Sequence, residues 1–306
     1  MFSQYFGHYL LNRGLITREQ LADSLEFQKT VHVKFGVIAV DEGFMTTAQV
    51  EEVHEKQRQM DKRFGEIAVE LGYLTEEQVE SLISHQKQSH LYLAQALVDR
   101  GYMTIDEFGA ALNEYKKDNS LSDEQFEAIR NGNVDTLVEK ILVAYDEEKA
   151  AKYGKYLSLF AKNMIRFIDD QVYLEVSETN NVTPGNWLIK QDVVGTSPLF
   201  TGISINDETL LYVASIYAEE ELTEIDALAK DAVSEFLNLH NGIYLVNMSN
   251  WGTELDMKPQ QVFESATVSG DLFQVTVNTS KGAFQVVLSD NPSNIAVESA
   301  TGTQTV

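Results

Sequence analysis

The chain has 306 residues, enough for two units with cores of their own, and sets 23 basic against 47 acidic side chains for a net charge of −24. A surface this acidic, with the excess spread evenly on either side of residue 150, repels nucleic-acid backbones and excludes general nucleic-acid binding. The lack of cysteine excludes disulfides and thiolate chemistry, and no apolar run approaches the roughly 18 residues of a membrane-crossing helix.

From its first residues the sequence repeats with a period of 29. Tyr5-Phe6-Gly7, Lys34-Phe35-Gly36, Arg63-Phe64-Gly65 and Tyr92-Leu93-Ala94 open four units. Gly14, Gly43, Gly72 and Gly101 sit where each first helix ends in a left-handed residue. Two apolar residues then lead to Thr17, Thr46, Thr75 and Thr104, and a Gln or Glu follows three positions on: Gln20, Gln49, Gln78 and Glu107. That spacing is a capping box, in which two side chains satisfy otherwise unpaired N–H groups at a helix start. Each unit therefore reads as a short helix, a glycine stop and a longer helix. Such a pair cannot bury its apolar stripe alone, so neighbouring units must stack.

The blocks Lys34 to Gln57 and Arg63 to Gln86, separated by a five-residue spacer, resemble the MshEN-type (GspE N-terminal-like) domain of secretion and pilus ATPases. In that family two such blocks bind cyclic di-GMP. The resemblance implies a ligand site at Lys34, Gly36, Gly43, Gln57, Arg63, Gly65, Gly72 and Gln86. The chain departs from the pattern in carrying lysine at 34, tyrosine at the openings of the first and fourth units, and Ala39 and Ala68 for larger aliphatics. A lysine cannot reproduce the bidentate fork of arginine. An array used only for docking or dimerisation stands as the alternative.

From Asn119 to about Asp169 the sequence reads as helical, broken at Asn131-Gly132-Asn133. Ser122 and Gln125 have the spacing of a decayed fifth unit, and Val134 to Glu148 reads as a connecting helix. The domain expectation is thus a helical-repeat domain over 1–118, a helical connector over 119–150 and an α+β domain over 151–306.

In the last of these, helices are expected at Tyr156 to Ile168, Glu208 to Tyr217 and Glu224 to Asn241. Strands are expected at Val172 to Val176, Phe200 to Ile205, Gly242 to Met248 and Glu254 to Met257. A hairpin of Phe273 to Val277 and Phe284 to Leu288 turns at Ser280-Lys281-Gly282. Helices and paired strands with little βαβ alternation predict an α+β fold with an antiparallel sheet.

Glu235 and Asn238 lie three apart on the predicted helix and so project from one face. The stretch from Glu235 to Gly242 resembles the Glu-x-x-Asn-x-x-x-Gly helix of the CheX/CheC family of response-regulator phosphatases. Gly202-Ile203-Ser204-Ile205 upstream and Leu255 to Pro259 downstream extend that resemblance over roughly 150–290. The same bare pattern recurs at Glu178, Asn181 and Gly185, in a loop composition that gives the two side chains no fixed relation.

The resemblance implies hydrolysis of the aspartyl phosphate on a receiver domain. Asn238 would hold the attacking water and Glu235 would pair with a receiver lysine. The Mg²⁺ would belong to the receiver, with no cofactor intrinsic to this chain. Family members with this fold are often homodimers. A non-enzymatic adaptor, docking a receiver or a secretion- or pilus-type partner, is the competing expectation.

The six histidines show no metal-site spacing with carboxylates, and His240 reads as a partly buried or surface residue. No phosphate-binding glycine loop is present. Asp169-Asp170 and Glu219-Glu220-Glu221 read as solvated charge clusters. The first residues carry no basic segment leading into an apolar run, and the expectation is a cytoplasmic protein.

Overall fold

A computed structural model describes residues 1–85, 88–176, 185–299 and 304–305. The chain divides into two units, Phe2–Asn133 and the stretch from Val134 onward.

The first unit is all helical: α1 (Phe2–Asn12), α2 (Arg18–Phe27), α3 (Phe35–Asp41), α4 (Thr47–Gln57), α5 (Phe64–Glu70), α6 (Glu76–His85), α7 (Ser89–Asp99), α8 (Ile105–Asp118) and α9 (Asp123–Arg130). Gly14, Gly43, Gly72 and Gly101 take φ between 68° and 73°, the left-handed conformation that ends a helix without a Cβ penalty. Reciprocal side-chain and backbone hydrogen bonds join Thr17 to Gln20, Thr46 to Gln49, Thr75 to Gln78 and Thr104 to Glu107. Ser122 and Gln125 make the same box ahead of α9, which ends at Gly132 with φ 84°.

The units opened by tyrosine differ from those opened by a cation. Lys34 and Arg63 stand at the N-cap, just ahead of α3 and α5. In the units of Tyr5 and Tyr92 the helix starts three residues before the tyrosine, so α1 has 11 residues against 10 in α2 and is not the shorter of its pair. Phe6, Leu10, Ile38, Ile67, Leu82, Leu91, Leu93 and Phe108 are fully buried between the helices. A buried ion cluster ties α9 to the array. The Arg130 guanidinium reaches Asp41, Glu42 at 3.0 Å and Glu127 at 2.7 Å, and His90 Nε2 lies 3.1 Å from Asp41.

The second unit opens with α10 (Val134–Tyr145) and α11 (Glu147–Phe167), followed by β1 (Tyr173–Val176), β2 (Trp187–Gly195), β3 (Leu199–Ile205), α12 (Asp207–Tyr217) and α13 (Ala227–Asn250). Then come β4 (Leu255–Met257), β5 (Gln261–Glu264), β6 (Ala266–Ser269), β7 (Phe273–Thr279), β8 (Gly282–Ser289), a 3₁₀ turn at Pro292–Asn294, β9 (Ala296–Ser299) and β10 (Gln304–Thr305). The fold is α+β, and every pairing in the main sheet is antiparallel, in the order β1-β7-β8-β3-β2-β5-β10, with β4 also on β2.

One sheet face packs against α11, α12 and α13 through Phe160, Phe236, Leu237, Ile189, Ile203 and Val286. The other face, with Leu188, Phe200 and Val287, is covered by Ala266 and Val268 of the β6–β9 ribbon. Central strand β3 is buried along its whole length, which fits its continuous apolar and small composition.

Three expectations are corrected. Gly242 to Met248 is helix, not strand, and no stop occurs at Asn241-Gly242: α13 ends only at Trp251-Gly252, where Gly252 takes φ 81°. The β-branched and aromatic run Ile243 to Val246 reads locally as a strand, but Tyr244 is held in the helical core by an edge contact with Tyr156 at 5.2 Å. The stretch expected as a connector is divided, α9 lying in the first unit and α10 packing along α11 in the second. Asp169 is no solvated charge. It is buried and accepts hydrogen bonds from Gln171 N at 2.8 Å, Ser280 N at 2.6 Å and Tyr212 OH at 3.2 Å, fastening the end of α11 to the β7–β8 turn and to α12. Glu219, Glu220 and Glu221 are exposed.

Candidate functional site

The N-terminus of α13 is capped by Asp226, which accepts from Ala229 N at 3.0 Å. Over the next turns Val233, Phe236, Leu237, His240 and Asn241 turn into the core, while Glu235 is exposed and Asn238 half-buried. Asn238 Nδ2 donates to Glu235 Oε2 at 3.2 Å, so the two side chains form one polar group on the helix surface.

Asn238 is also gripped from below. Gln191, buried on β2, donates from Nε2 to Asn238 Oδ1 at 2.9 Å and to the Lys258 carbonyl at 3.0 Å. Its Oε1 accepts from Asn241 Nδ2 at 2.9 Å. Asn241 in turn accepts from the Tyr156 hydroxyl at 2.9 Å and donates to Thr201 Oγ1 at 3.0 Å, while Thr201 donates to the Gln191 carbonyl at 2.6 Å. Burial among apolar neighbours raises the Tyr156 hydroxyl far above its ordinary pKa, keeping it a neutral donor.

The sequence identifies Glu235 and Asn238 but not Gln191, Asn241, Thr201 or Tyr156. The one local hint is Lys190-Gln191-Asp192, a polar triplet inside an otherwise apolar strand. The second motif copy, Glu178 and Asn181, lies outside the described residues.

His240 is fully buried rather than surface-placed. Its Nδ1 accepts from Asn163 Nδ2 at 3.0 Å, its ring meets Tyr156 and Phe160 edge-on at 4.4 and 5.0 Å, and burial pushes its pKa down to about 3. It is a neutral core residue beneath the motif. Among the described residues no three His, Asp or Glu side chains converge as a metal ion requires, and no helix is long and apolar enough to cross a membrane.

The repeat residues have identifiable packing duties. A Cβ on Gly36 would sit 2.5 Å from Val50 Cγ1, and one on Gly65 would sit 3.0 Å from Val79 Cγ1, so each glycine lets two helices of its unit approach closely. Gly43 and Gly72 are the left-handed helix stops. Gln57 donates to the Lys62 carbonyl at 3.2 Å and folds the spacer. Lys34 Nζ pairs with Asp99 at 2.7 Å, and its backbone N–H donates to Gln95 at 2.9 Å. Arg63 is exposed, with its backbone N–H donating to Glu66 at 2.9 Å. Gln86 lies outside the described residues.

No known family's sequence model matches the chain, and no curated protein matches it. Solved structures of CheX- and CheC-like chemotaxis proteins are similar over somewhat under half of it. A CheC-like superfamily protein from Shewanella sp. PV-4 is 17% identical with TM-score 0.38, over 44% of this chain and 92% of that one. The chemotaxis protein CheX from Vibrio vulnificus is 13% identical with TM-score 0.38, over 44% and 94%. A CheX–CheY–BeF3–Mg²⁺ complex from Borrelia burgdorferi gives 15% identity and TM-score 0.36, over 47% and 95%.

Proposed function

We propose that the second unit is a CheX-like phosphatase acting on the aspartyl phosphate of a response-regulator receiver. The observation that carries this reading is the joined Glu235–Asn238 pair on the open face of α13. Among the described residues one Nδ2 hydrogen of Asn238 and the Glu235 Oε1 have no intramolecular partner, so the pair presents a donor and an acceptor together.

In the proposed reaction Asn238 holds a water in line with phosphorus. The water oxygen bonds to phosphorus, the bond to the receiver's aspartate breaks, and phosphate and a carboxylate are released. Positioning supplies most of the catalysis in phosphoryl transfer, so an amide suffices. Glu235 pairs with a receiver lysine and fixes the register. The Mg²⁺ is the receiver's. The partnership of CheX with CheY named for the Borrelia structure is of the kind proposed here. Hydrolysis of a phosphorylated receiver by the wild type, lost in Asn238→Ala, is the expected result; equal phosphate loss with the variant overturns the catalytic role.

The first unit we read as a docking or input array. Its repeat glycines are accounted for by close helix packing or by left-handed helix stops, and Lys34 is already paired with Asp99. Cyclic di-GMP, implied by the resemblance of the repeats, is tested by calorimetry on the wild type and Arg63→Ala. Heat of binding abolished by the substitution assigns the ligand to this unit, and no heat at high micromolar concentration leaves docking alone.

A further inference from the structure

We propose that Gln191 is a positioning residue for Asn238, setting which end of its amide faces outward. The proposal rests on the phosphatase reading for its functional consequence, though its structural part stands apart from it. Asn and Gln side chains are nearly symmetric in shape but opposite in chemistry at their two ends, so something must choose between them.

Here two backbone carbonyls make the choice. The carbonyl of Lys258 can only accept, so the Gln191 atom 3.0 Å from it must be the amide nitrogen. The same nitrogen lies 2.9 Å from Asn238, which must therefore present Oδ1 inward and Nδ2 outward to Glu235. At the buried end the carbonyl of Gln191 itself takes the Thr201 hydroxyl hydrogen at 2.6 Å. Thr201 Oγ1 then accepts from Asn241 Nδ2, the nitrogen that also donates to Gln191 Oε1. Asn241 Oδ1 is left to accept from Tyr156. Every donor in the chain from Tyr156 to Glu235 meets an acceptor only in this sense.

The relay thus links α11, β3, β2 and α13 and ends on the group that would touch the water. With Asn238 reversed, its Oδ1 would face the Glu235 carboxylate, two acceptors without a proton between them, and the outward donor would be gone. The segment carrying the Lys258 carbonyl is itself pinned, since Lys258 N donates to the Asp192 carbonyl at 2.9 Å.

Gln191→Glu isolates this role. The substitution keeps size and keeps the acceptor for Asn241, but it replaces the donor to Asn238 with a carboxylate oxygen. Tyr156 on α11 and Glu235, His240 and Tyr244 on α13 are the titratable groups that join or pack against the relay. Lys190, Asp192 and Lys258 lie on β2 and just after β4, and the first two point to the opposite sheet face by alternation. The nearby Glu235 charge favours the protonated acid, which restores a donor.

The full chain is assayed with a phosphorylated receiver. At pH 8 the variant's kcat falls on the order of a hundredfold, a loss typical of a misplaced catalytic group, with unchanged affinity for the beryllofluoride-loaded receiver. Relative to wild type at each pH, activity recovers as pH falls through the pKa of the introduced carboxyl, which burial and the Glu235 charge hold above the ordinary carboxyl value. In parallel, the Asn238 side-chain amide resonances of ¹⁵N-labelled protein shift in the variant at pH 8 and return in acid.

Unmoved Asn238 resonances overturn the proposal whether or not the wild type hydrolyses anything. So does an unchanged kcat while Asn238→Ala is dead, a result that leaves the phosphatase reading intact. Moved resonances with a wild type that removes no phosphate defeat the phosphatase reading and keep the relay. Should Gln191→Glu fail to fold, Gln191→Met, with no donor, is read in the same way, with no acid recovery expected.

Discussion

Gly36 has no room for a methyl group, because its Cβ would fall 2.5 Å from Val50 Cγ1. Gly36→Ala is therefore expected to destabilise the first unit by about 1–3 kcal/mol, the usual range for overpacking, and Gly36→Ala with Val50→Ala to recover part of that loss in a thermal melt. Equal melts for the single and double variants would remove the packing account. In the second unit His240 carries a different kind of strain. Burial lowers its pKa from 6.5 to about 3, so between those values the unfolded chain binds a proton that the native state refuses. Stability then rises with pH across that window and is lost as pH falls, by up to about 1.4 kcal/mol per pH unit. His240→Gln should flatten the decline in urea midpoint between about pH 6.5 and 5, above the main carboxylate range; an unchanged slope would contradict the buried neutral ring. At this scale the sequence discloses Glu235 and Asn238, because helical spacing alone puts them side by side. It hides Gln191, which lies 47 residues from Asn238 in the chain and meets it only once β2 passes under α13.

Helix α13 shows how local preference yields to packing. Its Ile243-Tyr244-Leu245-Val246 run has strand-like composition, yet the helix passes through it and through Gly242 without a break. Mid-helix glycine costs conformational entropy, and a Cβ at Gly242 would meet only Met257 Cε at an ordinary 3.9 Å. Gly242→Ala should therefore stabilise the protein by about 0.5–1 kcal/mol. Gly252, at φ 81°, is the stop, and Gly252→Ala should cost about 1–2 kcal/mol. Loss of stability on Gly242→Ala in chemical denaturation would contradict the continuous helix. The repeat helices were legible because glycine stop and capping box are short-range signals, complete within a few residues. Strands β5, β6 and β9 were not, since each pairs with a strand far along the chain, β5 with β2 and β6 with β9.

The whole molecule joins an all-helical array to an α+β unit, both strongly acidic and each with its own core. The array's repeat glycines and capping-box residues serve as helix stops, close contacts and caps, whereas among the described residues the α13 pair holds unpartnered hydrogen-bonding capacity on an exposed face. That contrast is why catalysis is proposed for the second unit and docking for the first. An adaptor would bind an activated receiver by the same face without changing it, so binding alone does not separate the two. The decisive measurement follows phosphate loss from a phosphorylated receiver mixed with wild type or Asn238→Ala, alongside the binding of each to the beryllofluoride-loaded receiver. The account predicts comparable binding by both proteins and accelerated phosphate loss with the wild type alone. Tight binding with no acceleration by the wild type, or equal acceleration by Asn238→Ala, would contradict it.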